Sequence, residues 1–534
     1  KQHLFFQNNT KMQLNLIRKF GGLSKINSDI YRVLPRNTNQ ARGLVEFGYD
    51  FMNGTIGNTI DDNVYDRVDM FHTDSILCGL SALSMKTNAP TVLRDEALTY
   101  TFDNGCYVFG SDVKVRPEKA VLANSSAVRE WDSNGTVFGF NSELGKSFQK
   151  GEFGHNDYYS SCIAAAQMNG YNGSYALKAM LLQDEIRGRL AEVFSLKTYK
   201  IDHVVHGAIA TAVVYGILRN ASVDEIESAV GMVVAHYIPY RAIRAGHQLS
   251  DSKGASAAIS SEVAILAVER SMNGFIGPKD IFRNPQSVFR LNEPTKSDDE
   301  SPFDIVMTHS GNDFSVMGMH FKLGLYEHQS AGAIQSVITL LQEYPQILKG
   351  GVSNLKQVNI TIYEPAFSII GDPAKKNPTT RQSADHSMLY IIASLFKKAY
   401  DVGYDNIVAL NETYKDNTEA LWKKLMLLPD DYMDDALNNS ITRDIMTKIS
   451  FKHGGKEYDD NYPDGIPTKL DIQTNNGDIY GDKNDMIMYP GGHARNKSIN
   501  LKDILNHKWT SMENICNNTN IINHVSKLQN KSSK

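Results

Sequence analysis

Between about residue 40 and residue 320 apolar side chains recur every three or four positions, the period of helices, and after Lys349 that period gives way to strict alternation. The chain therefore has to build a helical body first and a mixed α+β region second. Ser222-Val223-Asp224-Glu225 has the form of a capping box, in which the serine hydroxyl accepts the backbone N–H of Glu225 and the glutamate reaches back. Ile226, Val230, Val233 and Val234 follow on one face. Similar patterns predict helices over 74–86, 160–169, 174–191 and 208–218. In the second region, 357–363 alternates as a half-buried strand does, and 469–480 reads as two strands joined at Asn475-Asn476-Gly477. Helical stretches over 387–399 and 418–424 lie between them. Residues 292–301, charged and containing a proline, read as a loop, and 500–505 and 511–525 turn helical again.

At 534 residues the chain is too long for one compact core, and 41% hydrophobic with 22% charged residues is the composition of a folded globular protein. A formal net charge of -5 offers no basic field to hold nucleic acid, which is excluded as an expected partner. No uninterrupted apolar run approaches the roughly eighteen residues of a membrane span, so no membrane association is expected. Cys78, Cys106, Cys162 and Cys516 lie far apart and never form a CxxC or a zinc spacing, as expected of a reducing compartment. An iron–sulfur cluster of the aconitase type has no ligands of the usual spacing here. Residues 1–28 carry Lys1, Lys11, Arg18, Lys19 and Lys25 and no acid, the composition of a mitochondrial transit peptide, which predicts a location in the mitochondrial matrix.

Residues suited to proton transfer and anion binding recur at turns and helix starts of the first half. Arg129-Glu130-Trp131-Asp132-Ser133-Asn134-Gly135-Thr136 groups acid, amide and hydroxyl within a turn or two. Gly154-His155-Asn156-Asp157 precedes an apolar helix, where backbone N–H groups attract anions. Asp202-His203 and Ser250-Asp251-Ser252-Lys253 each open another helix, and His320-Phe321-Lys322 is followed by His328. A single histidine or lysine at such a place is more often a cap or a surface group, so none of these segments is specific alone. Trp131 and Trp422 read as core or cleft-wall aromatics, and His386 beside Asp385 as a pair local to the second region or a contact between the two regions.

Taken in order, the segments resemble the MmgE/PrpD family from about residue 45 to 500. Its Arg-x-x-Asp-x-Asn/Asp-x-Thr segment is similar to Arg129, Asp132, Asn134 and Thr136; its Gly-His segment to Gly154-His155; and its His before an Ala-rich helix to His203. Lys253 resembles its lysine before a Gly/Ala helix start, and Phe321-Lys322 with His328 its Phe-Lys stretch followed by histidine. Asp372-Pro373, Arg381 and Ala384-Asp385-His386-Ser387 resemble a later signature, as does Tyr489-Pro490-Gly491-Gly492-His493-Ala494-Arg495.

The resemblance implies a mainly α fold: a large all-helical domain of N- and C-terminal segments with an inserted smaller α+β lid domain. Residues 1–40 would be a basic leader, 41–325 the helical domain, 326–490 the lid and 491–534 the segment returning to the helical domain, with the active site between them and a homodimer as the assembly. It further implies a metal-independent lyase without cofactor, acting on a small-molecule polycarboxylate, first of all dehydrating 2-methylcitrate to the cis-aconitate-type unsaturated acid of propionate metabolism. The implied catalytic set is Asp132, Thr136, His155, His203, Lys253, Lys322 and His328, and the substrate would be held by Arg241, Arg244, Asn134, Lys253 and Lys322. His155 or His203 would move the proton, and Asp132 and Thr136 would orient a histidine or the leaving hydroxyl. A cis-aconitate decarboxylase-like enzyme or a dicarboxylate epimerase would share this fold. A non-catalytic paralogue, serving as a structural or binding subunit with the cleft filled by 139–154, is the reading of a different class.

Overall fold

The computed structural model describes residues 26–532 except 245–247, 371–372, 415–417 and 482–485; most of the basic leader lies outside the described residues. Helices dominate. Val204–Leu218 is buried over its whole length, as a run whose only ionisable side chains are His206 and Tyr215 demands. Asp251–Met272, Val223–His236, Gly173–Val193 and Tyr159–Asn169 pack around it. Close approach is built in at Gly207, where a Cβ would stand 1.9 Å from Cζ of Tyr158; only a hydrogen fits against that ring. The Ser222 capping box forms as its sequence requires. The helix expected over 74–86 begins earlier, at Asp62–Ser84, because Val64 and Val68 extend its buried face by more than two turns.

Residues 355–481 contain a four-stranded sheet in the order Ile479–Gly481, Thr468–Thr474, Leu355–Ile362, Ile449–His453. The first two junctions are antiparallel and the last is parallel. Ile360 pairs with Leu470 on one side and Phe451 on the other. Val358, Ile360 and Ile362 point to the buried face with Leu470 and Ile472, so the alternation in the sequence is the alternation of the pleat. Helix Ala331–Glu343 lies against Thr468–Thr474. The chain then returns: Leu501–Ile515 packs on Asp62–Ser84. Beyond it, Asp69 accepts the backbone N–H groups of Lys527 and Leu528, so the polar tail is tied to the helical body.

Three small pairings had no counterpart in the sequence reading. Tyr31–Leu34 pairs antiparallel with Ile305–Thr308, so the stretch after residue 25, assigned to the leader, is folded against the body up to residue 40. Thr101–Tyr107 pairs with Lys114–Val115, and Thr136–Val137 with Gly154–His155. Segments this short do not display a period. Among the described residues no helix is long and apolar enough to cross a membrane.

Candidate active site

The pairing of Thr136 with His155 brings together two residues whose connecting segment loops away between them. Thr136 also exchanges backbone hydrogen bonds with His320, at 3.0 and 2.7 Å, so the three segments carrying Asp132, His155 and Lys322 meet at one point. Asp132 lies just beyond helix Pro117–Arg129 with φ at 43°, a left-handed conformation that aspartate tolerates better than most residues. This turn aims its carboxylate inward.

Around that carboxylate four positive or protonatable groups converge. Arg129 and Lys322 both hydrogen-bond it, Nε2 of His386 is 2.6 Å away and Nζ of Lys253 3.7 Å. Burial pushes the Asp132 carboxyl up, but Arg129, His386, Lys322 and Lys253 outweigh it and hold the group well below the usual range. Lys253, in the first turn of Asp251–Met272, is buried and stands 3.0 Å from Nδ1 of His386. Its burial brings the ammonium down to about 7 in spite of Asp132. Burial likewise lowers Lys322, against the pull of Asp132.

The rings of His155 and His203 have their centroids 5.4 Å apart, and Nη2 of Arg129 lies 3.4 Å from Nε2 of His155. Burial, with Arg129 and Lys322 nearby, holds His155 well below its usual pKa. Burial does the same to His203, in opposition to Asp202. His203 begins helix Val204–Leu218, and Asp202 beside it is gripped by both Nε and Nη2 of Arg244. His328 is fixed from behind by Nδ1 of His320 at 2.7 Å, and the His320 ring packs 3.9 Å from that of His493.

These groups border a cleft of about 590 Å³, within the range of small-molecule sites. Of the residues the sequence put forward, Asp132, Thr136, His155, His203, Arg241, Arg244, Lys253 and His328 line it. Two do not. Lys322 is fully buried behind Asp132, with its ammonium on that carboxylate, and Asn134 is fully buried with its amide donating to Asp157. Both support the wall and do not face the cavity: the Lys322 ammonium and the Asn134 amide N–H are each taken up by a buried carboxylate. Segment 139–154 contributes only Phe153 to the lining and leaves the cleft open. Trp131 and Trp422 are buried.

Two contributors stand outside the catalytic set named from the sequence, one of them, His386, expected only as a local pair or a contact between the two regions. His386 reaches from the second region to Asp132 and Lys253, with Nδ1 also on Asp385; Arg381 ties Asp385 to Glu130 at 2.7 Å each. The Ala384-Asp385-His386-Ser387 signature carried this signal. Lys508, on the last long helix, is fully buried and holds Asp74 at 2.8 Å and the carbonyls of Ser133 at 2.7 Å and Lys322 at 3.0 Å. It ties down the two turns that present Asp132 and Lys322, and a lone lysine in an amphipathic helix gives no hint of that. Asp132, Asp385 and His386 place ligand atoms within 4.8 Å of one another, a grouping that could hold a cation. Arg129, Lys322 and Arg381 already occupy those carboxylates, and further positive charge there would be repelled.

Residues 50–299 match the MmgE/PrpD N-terminal domain. Asp132, Thr136, His155, His203 and Lys253 fall inside the matched stretch; His328 and His386 come from the chain beyond it. The chain is also similar to the 2-methylcitrate dehydratase of Escherichia coli (strain K12), 23% identical over 469 residues that cover 80% of this chain and 89% of that protein. Similarity to the 2-methylcitrate dehydratase of Salmonella typhi is 22% over 468 residues, 83% of this chain and 84% of that protein.

Proposed function

We propose that the protein is a metal-independent lyase that dehydrates 2-methylcitrate, or a closely related citrate-like tricarboxylate, to the cis-aconitate-type unsaturated acid. One observation carries the reading. Thr136 Oγ1 and the Nδ1 atoms of His155, His203 and His328 are buried at the cleft wall without a protein hydrogen-bond partner among the described residues. Buried polar atoms are rarely left unpaired, so such a group is built to meet a polar ligand. Cations beside it suit carboxylates, and neutral imidazoles suit proton transfer.

In the proposed step a neutral His155 or His203 takes the proton of the C–H bond beside the carbinol carbon. The C–O bond breaks, and the hydroxyl leaves as water with a proton from Lys253. Thr136 orients the leaving hydroxyl, and Arg241 with Arg244 holds carboxylates. Asp132, on the cleft wall, and Lys322, locked to it from behind, fix the charge and position of Lys253. The region around the four-stranded sheet would serve as a lid closing on the helical body, since His386 already bridges the two. A homodimer in the mitochondrial matrix is proposed as the working state, the location resting on the acid-free composition of residues 1–28.

The test is incubation of the purified protein with 2-methylcitrate, citrate and cis-aconitate in chelator, followed by ultraviolet absorbance and mass spectrometry. Loss of water from 2-methylcitrate is the expected result. Release of carbon dioxide from cis-aconitate would replace the reading with a decarboxylase, and silence on all three would refute it.

A further inference from the structure

The inner and outer ends of the cleft differ in how their charges are matched. At the inner end every cation has a carboxylate: Arg129 and Lys322 hold Asp132, and Lys253 stands beside it. At the outer end Arg244 and Lys375 have theirs, but three cations stand without one. Lys197 and Arg241 are half-buried and Lys200 is exposed, all three line the cleft, and among the described residues none has a carboxylate within ion-pair distance. Backbone bonds fix them side by side: Arg241 N–H donates to the Lys200 carbonyl at 2.9 Å, and Asp202 N–H to Pro239 at 2.8 Å.

The acids of this neighbourhood are engaged elsewhere. Glu152, beneath the group, accepts from the Phe153 N–H at 3.0 Å, the Lys197 N–H at 2.6 Å and the Ser195 hydroxyl at 3.1 Å. Asp202 is held by Arg244, and Glu364, across the cleft, takes the Ser368 hydroxyl. Glu327 faces Lys375 at 3.4 Å. Like charges gathered on a cleft wall without an ion-pair partner repel one another; Glu152 and Asp202 offset part of this from a distance, and an anion relieves the rest.

We propose that Lys197, Lys200 and Arg241 form a second anion subsite, which takes a carboxylate of the substrate remote from the atoms that react. The subsite rests on the lyase reading above and narrows its substrate class to extended polycarboxylates, with one carboxylate at the inner end and another at the rim. The Lys197 ammonium lies over the Phe153 ring, Nζ 4.9 Å from its centroid, a cation–π contact that steadies it. A carboxylate bound there sets which carbon of the acid faces His155 and His203.

The test is calorimetric titration of the full chain with tricarballylate, a tricarboxylate without the hydroxyl that dehydration requires. The unaltered protein is expected to bind it, and Lys197→Gln with Lys200→Gln to weaken Kd about tenfold, as loss of charge-assisted hydrogen bonds does. Lys197→Arg restores part of the affinity. The exposed Lys200→Gln alone shows the same direction should the double variant fail to fold. An unchanged Kd in the folded double variant, or no binding by the unaltered protein, overturns the subsite. Weakened tricarballylate binding in a protein that never turns over 2-methylcitrate leaves the subsite standing and removes the lyase reading instead.

Discussion

Lys253 sets a definite pH dependence. Burial brings its ammonium to about 7, with Asp132, His386, Arg129, Asp385 and Arg244 as the charged or titratable groups around it. A group with that pKa is about 90% charged at pH 6 and about 10% charged at pH 8. If the ammonium donates the proton to the leaving hydroxyl, kcat/KM falls about tenfold between those two values, because kcat/KM reports the free enzyme. Lys253→Arg keeps the charge throughout this range, so its lower residual kcat/KM should be flat. The other lysine of the cleft held near neutrality is Lys197, brought down to about 8 by burial and Arg241. Lys197→Gln should therefore leave the limb near pH 7 in place. The assay is initial rate against substrate from pH 5.5 to 9 at constant ionic strength. A flat profile in the unaltered enzyme, or a limb that persists in Lys253→Arg, refutes the assignment.

Three further outcomes follow from the packing. Asp132→Asn leaves Arg129, Lys322, Lys253 and His386 around a neutral amide, and loss of one member of a buried ion cluster costs about 3–5 kcal/mol in chemical unfolding. Since the folded-state pKa of Asp132 lies below its unfolded value, that difference is full above about pH 4 and narrows as the pH falls toward the folded value; a constant difference down to pH 2 contradicts it. Lys508→Met leaves the buried Asp74 carboxylate with the Trp509 N–H but without its cation and frees the Ser133 and Lys322 carbonyls, so both melting temperature and kcat should drop, whereas a purely peripheral helix would leave kcat intact. Gly207→Ala presses a methyl into the Tyr158 ring and should cost about 1–3 kcal/mol, measured by denaturant unfolding.

What was legible in the sequence was whatever carries a period or a contiguous signature. The buried helix Val204–Leu218, the capping box at Ser222 and the strands 355–362 and 468–474 show their burial residue by residue. Eight of the ten site residues put forward lie on one cleft, because their signatures sit at helix starts and turns that the fold gathers. Lys322 and Asn134 failed as cleft residues because a sequence shows that a lysine or an amide is present, not which buried carboxylate it will meet. Lys508 and the two-residue strand pairing of Thr136 with His155 were invisible for a related reason. Both are long-range contacts of short segments, set by how the whole chain packs.

The most direct measurement is the reaction of 2-methylcitrate in chelator, followed by proton NMR for the unaltered enzyme, His155→Ala and His203→Ala. The expected result is one unsaturated acid formed for each substrate lost, unaffected by chelator, with at least one of the two variants slowed by about a hundredfold or more. Full turnover in both variants, or no unsaturated acid from the unaltered enzyme, would contradict the dehydration assigned to this cleft.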